Sequence, residues 1–105
     1  HVDLALCLTE RDNKGESIQG VGRYYYLEAN NSAEVAFVIK ESKRGKGMAK
    51  ALLTEIITIA RIRGVEQLIA SVRRDNAPML KVFEKAGFVR KPSDGYDEVS
   101  LAYTL

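Results

Sequence analysis

The strongest constraint on this chain is a change of hydrophobic period across one short, basic, glycine-rich segment. Before it, apolar residues alternate in three stretches, Val2 to Thr9, Ile18 to Leu27 and Ala33 to Lys40. A spacing of two puts successive side chains on opposite faces of an extended strand, so these stretches predict three β-strands. After it, Ala49, Leu52, Leu53, Ile56 and Ala60 recur at helical spacing between Gly47 and Arg63, and Gly64 is placed to end that helix. A sheet is therefore followed directly by an element able to cover it. With its further isoleucines, the helix is expected to be mostly buried.

Turn residues at Arg11 to Gly15 and at Asn30 and Asn31 join the three strands into an antiparallel meander. Gly20 and Gly22 predict a bulge or a close backbone approach in the second strand. In the third strand Val35, Phe37 and Ile39 share one face, with Glu34, Ala36 and Val38 on the other. Gln67 to Arg73 reads as a fourth strand, parallel to the third because a helical crossover reaches it. Asn76 suits the N-cap of a second helix, with Pro78 in its first turn and Gly87 just past its end. Phe88 to Arg90 and Glu98 to Leu105 offer terminal antiparallel strands around the Pro92 to Gly95 loop. The expected fold class is α+β (α/β in the broader sense), with a mixed central sheet and two helices.

A chain of 105 residues makes one domain. Sixteen Lys and Arg against fourteen Asp and Glu give a net charge of +2, too near balance for nucleic acid to be expected as a partner. The single Cys7 cannot form an internal disulfide, and no signal-peptide pattern or membrane-length apolar run is present, which points to a reducing cytoplasm and no membrane. One His and one Cys cannot build the usual nitrogen and sulfur ligand set, so no metal site is expected. Cys7 is expected in the core.

Positive charge is concentrated locally, at Lys40, Lys43, Arg44, Lys46 and Lys50. A glycine-rich turn at a helix start aims free backbone N–H groups and the positive end of the helix dipole at one spot, which suits an anion. Taken alone, such a turn is equally a structural turn or a generic phosphate site. Its residues Arg44, Gly45, Lys46, Gly47, Met48 and Ala49 also fit the pattern Arg/Gln-x-x-Gly-x-Gly/Ala, which holds the coenzyme A pyrophosphate in the GNAT superfamily of N-acetyltransferases. With Asn76 to Phe88, which ends in Ala86-Gly87-Phe88, the chain from about its second strand onward resembles that superfamily. The runs Gly20 to Tyr24, Ala33 to Val38 and Asn76 to Leu80 look most like the catalytic domain of bacterial Pat-type protein lysine acetyltransferases.

The resemblance implies acetyl-CoA as cosubstrate and transfer of its acetyl group to a protein lysine ε-amine, by direct attack in a ternary complex. It implies that the third and fourth strands splay around the pantetheine arm, with Phe37, Val38 and Ile39 lining the gap, and that amides from Arg44 to Ala49 hold the pyrophosphate. Glu34 would be the general base, in a partly buried setting, the alternative being an ordinary exposed strand carboxylate. Asn76 would contact the coenzyme, although a pure N-cap looks the same in sequence. Phe83 stands where many relatives carry a proton-donating tyrosine; lacking a hydroxyl, it reads as packing against the pantetheine or the core. Pat-type acceptors include acyl-CoA synthetases, and their catalytic domain is fused to a regulatory domain, so such partners, or a dimer, are expected. The superfamily begins with a strand and two helices that would precede Val2, which implies either a fragment of a longer chain or association with another segment or chain that supplies them, the first strand having an open edge. A small-amine N-acetyltransferase and a non-catalytic acyl-CoA sensor are the competing readings.

Overall fold

The computed structural model describes residues 4–40, 43, 47–92 and 95–105. In chain order the elements are β1 (Leu4–Asp12), β2 (Gly15–Leu27), β3 (Ser32–Ile39), α1 (Met48–Ile62), β4 (Gln67–Arg73), α2 (Ala77–Ala86), β5 (Val89–Lys91) and β6 (Glu98–Thr104). The six strands form one sheet in the order β1-β2-β3-β4-β6-β5. β1, β2 and β3 are the antiparallel meander, β4 is parallel to β3, and β6 is antiparallel to both β4 and β5.

The first hairpin is longer and tighter than its composition suggests. Arg11 and Asp12 stay in the ladder, Asp12 opposite Gly15, so only Asn13 and Lys14 turn. The Lys14 N–H donates to Asp12 Oδ1 at 2.8 Å, a local bond that satisfies the turn. Of the two readings of the β2 glycines the bulge holds, and the close neighbours are side chains where a backbone approach was expected. The β1–β2 ladder slips between Leu8 and Thr9, which pair with Gly20 and Ile18 and leave Gln19 as the extra residue of a bulge. Gly22 lies where a Cβ would come 3.1 Å from the Phe37 ring and 3.2 Å from Ile56.

One face of the sheet carries the core. Tyr24, Val35, Leu68, Ala70, Val72, Val99 and Leu101 pack against Leu53, Ile56 and Ala60 of α1 and Leu80 and Phe83 of α2. Helix α1 is less buried than expected. Only Leu52, Leu53, Ile56 and Ala60 are fully covered, and Lys50, Ala51, Thr54, Glu55 and Thr58 face outward, because a helix lying on one sheet buries a stripe and not its circumference. Cys7 also departs from expectation: it is exposed. The alternation that sends Leu4, Leu6 and Leu8 toward the helices turns Cys7 to the other face.

Two corners fix where β3 and β4 meet. Asn31, in the left-handed region at φ 47°, accepts the Glu66 N–H at its carbonyl (3.0 Å) and donates from Nδ2 to the Gly64 carbonyl (3.1 Å). These bonds tie the β2–β3 corner to the α1–β4 corner.

Helix α2 ends as predicted, at Gly87 with φ 110°. A Cβ there would lie 2.8 Å from Tyr103 Cε1, and the Tyr103 ring is pinned by stacking on Phe88 at 5.3 Å and by an Arg61 Nη2 bond of 2.9 Å to its hydroxyl. Backbone strain and a clash therefore add, and Gly87→Ala is expected to cost about 2 kcal/mol, roughly 10 °C in melting temperature. An unchanged melting temperature would show that the ring is free to move aside.

Candidate active site

Parallel strands β3 and β4 pair at three positions only, Ser32 with Gln67, Ala33 with Leu68 and Glu34 with Ile69. Beyond them each strand follows its outer neighbour, β3 staying on β2 as far as Ile39 and β4 staying on β6 as far as Arg73. The sheet therefore opens into a V, closed at Glu34 and Ile69 and widening toward Ile39 and Arg73. Main-chain groups of Val35–Ile39 and of 70–73 that face this gap do not pair with each other, and a buried main chain needs partners. An extended, amide-bearing ligand is the kind of group that supplies them.

Both strands lead to helix starts at the wide end. Helix α1 begins after Gly47, which has φ 80°, and the first turn has no side-chain cap bond and no acidic residue. Its leading N–H groups are therefore left for an anion. Among the described residues an added Cβ at Gly47 would meet nothing within 4 Å. Met48 and Ala49 are half-buried at the start of the helix. Arg44, Gly45 and Lys46 lie outside the described residues. Lys43 forms an ion pair of 2.9 Å with Glu10 on β1.

Helix α2 starts differently. Asn76 Oδ1 accepts the Met79 N–H at 3.3 Å, so the N-cap reading of Asn76 holds. Its Nδ2 group has no protein partner among the described residues. Just before it, Arg73 and Asp75 pair at 3.2 Å, and the hydrogen bond and charge of Arg73 hold the Asp75 carboxyl below its ordinary value. Beside them Arg74, Tyr96 and Asp97 line a hollow of about 280 Å³.

The expected β3 residues divide between the two sheet faces. Phe37 turns to the helices, 5.6 Å from the Phe83 ring, and Ile39 is buried on the same side. Val38 is 66 % exposed on the opposite face. Glu34 shares that opposite face, between Tyr25 on β2 and Ile69 on β4, and it is exposed where partial burial was expected. The reason is that neither α1 nor α2 packs on this side. Phe83, at 2 % exposure, belongs to the core, where it also contacts Phe88 edge-on at 4.9 Å. The second wall of the V, Ala70, Ser71 and Val72, was not legible in sequence, since nothing in these small residues marks where a ladder stops. Among the described residues no helix is long and apolar enough to cross a membrane.

Residues 3–88 match the acetyltransferase (GNAT) family. The GNAT domain of S. lividans PAT superposes with a TM-score of 0.75 at 34% identity, over 85% of this chain and 55% of that one. A crystal structure assigned provisionally as a phosphinothricin N-acetyltransferase gives 0.72 at 30% identity, over 90% and 68%. YwnH of Bacillus subtilis (strain 168), whose name assigns it provisionally to phosphinothricin acetylation, is 46% identical over 59 residues, 56% of this chain and 36% of YwnH. This chain thus spans about a third to a half of the length of YwnH and of the S. lividans protein. A strand pair that parts into a V before two helix starts, and a family match covering most of the sequence, lead to one conclusion: the chain belongs to the acetyltransferase (GNAT) family, whose members use acetyl-CoA as cosubstrate.

Proposed function

We propose that this protein transfers the acetyl group of acetyl-CoA to the ε-amine of a protein lysine. The observation that carries the reading is the V between β3 and β4, opening onto the uncapped start of α1. Acetyl-CoA fits the groups present. Its pyrophosphate suits the free N–H groups from Gly47 to Ala49, joined in sequence to Arg44, Gly45 and Lys46, and its amide-bearing arm suits the unladdered edges of Phe37, Val38 and Ile39 and of β4. The Asn76 Nδ2 group is available to donate to the same arm. When bound, the cosubstrate supplies an activated acetyl group.

The protein's own residues do the rest. The acceptor amine, with an unperturbed pKa of about 10.4, must lose a proton before it can attack. Glu34, at the closed end of the V, takes that proton directly or through a water, while the amine nitrogen bonds to the acetyl carbon and the carbon–sulfur bond breaks. Holding both reactants in one gap removes much of the entropic barrier. Position 83 offers no hydroxyl and is buried, so the thiolate departs without an acid from that residue.

The likeness to the GNAT domain of S. lividans PAT supports a protein acceptor. A small-amine acceptor is the second reading, supported by the phosphinothricin names of two relatives. Incubation with acetyl-CoA and a lysine-bearing protein such as an acyl-CoA synthetase, beside phosphinothricin and spermidine, separates them by mass spectrometry. Acetyl-lysine on the protein is expected. Acetylation of the small amines alone would establish the second reading, and acetyl-CoA binding without turnover of any acceptor would make the domain a sensor.

A further inference from the structure

We infer that Arg74 is a positioning residue for the coenzyme, fixing the turn that presents Asn76 and the start of α2 at the wide end of the V. This rests on the coenzyme reading above. The β4–β6 ladder ends where Arg73 pairs with Glu98. One residue further, the Arg74 main-chain N–H donates to the Asp97 carbonyl at 2.8 Å, and its side-chain Nε–H donates to the Tyr96 carbonyl, also at 2.8 Å. Two successive carbonyls of the β5–β6 loop thus converge on one residue of the β4–α2 turn.

The turn is closed on its other side. The Asn76 N–H donates to the Arg73 carbonyl at 2.9 Å, and Asn76 then opens α2 through its Oδ1 to Met79 and its carbonyl to the Leu80 N–H at 3.1 Å. Any residue at 74 makes the main-chain bond, which alone leaves a hinge. The guanidinium adds a second point and removes the rotation, and a lysine cannot reproduce its planar fork. Burial does not hold the loop instead, because the Tyr96 side chain is 93 % exposed. The neighbouring Arg73–Asp75 pair joins two residues of the same turn, with both side chains about 70% exposed at 70% and 72%, and so anchors nothing across the gap.

The test compares wild type with Arg74→Met, Arg74→Lys and Arg90→Met. Arg90 pairs with Glu84 at 3.1 Å at the far end of α2, so its loss is a control for surface stability. Calorimetry gives the acetyl-CoA affinity, and steady-state kinetics separate KM from kcat. Arg74→Met is expected to weaken acetyl-CoA binding by about tenfold and raise its KM in step, with kcat changed much less, since a misplaced positioning group loses binding first. Arg74→Lys should fall between the two, and Arg90→Met should bind like wild type at a similar melting temperature to Arg74→Met. Wild-type affinity in Arg74→Met, or equal weakening in Arg90→Met, would overturn the inference while leaving the coenzyme reading intact. Wild-type protein that binds no acetyl-CoA would overturn that reading, and the inference with it.

Discussion

Glu34→Gln is expected to lower kcat by about 100- to 10,000-fold at neutral pH with little change in acetyl-CoA affinity, the range that loss of a general base gives. The substitution keeps the side chain's size and its place opposite Tyr25 and Ile69, and it removes only the ability to accept the acceptor's proton. The deficit should shrink as the pH approaches the amine pKa of about 10.4, where solvent deprotonates the acceptor without help. A pH–rate profile of wild type and variant checks this. Full activity at every pH would assign the base to another group, and a deficit independent of pH would mean that Glu34 shapes the site without moving the proton.

Gly47→Val is expected to weaken acetyl-CoA binding by about 100-fold or more. A β-branched residue resists φ 80°, at a cost of about 1–2 kcal/mol, and its side chain stands beside the α1 start proposed to hold the anion. Gly64→Val separates the two effects. Gly64 has φ 76°, also has nothing within 4 Å of an added Cβ, and sits at the opposite end of the same helix. Both variants should lose similar stability, and only Gly47→Val should lose the coenzyme, as read by calorimetry. Equal affinities would move the anion away from the α1 N-terminus.

How much of this was legible in the sequence depended on the range of the interaction. Helix starts and stops are local: Gly47, Asn76 and Gly87 act through their own backbone or the next turn, and each stands where the sequence places it. Face assignment along β3 is also local, so Val35, Phe37 and Ile39 share one face as predicted. The burial of Glu34 and Cys7 was misjudged because it depends on what packs against the second sheet face, which no alternation reveals. The V itself came from family resemblance; its wall at Ala70 to Val72 carries no signature of its own. Arg74 was invisible for a similar reason, since its partner Tyr96 is 22 residues away in a loop and the bond is made to a carbonyl that any residue would provide.

Amide hydrogen exchange with and without acetyl-CoA tests the central claim most directly. Slowed exchange is predicted for Val35 to Ile39, for Ala70 to Arg73 and for the first turn of α1 from Met48, the three segments that meet at the V, with β1 and β5 unchanged. Protection confined to β1 or β5, or no protection at saturating acetyl-CoA, would contradict the assignment of the V as the coenzyme site.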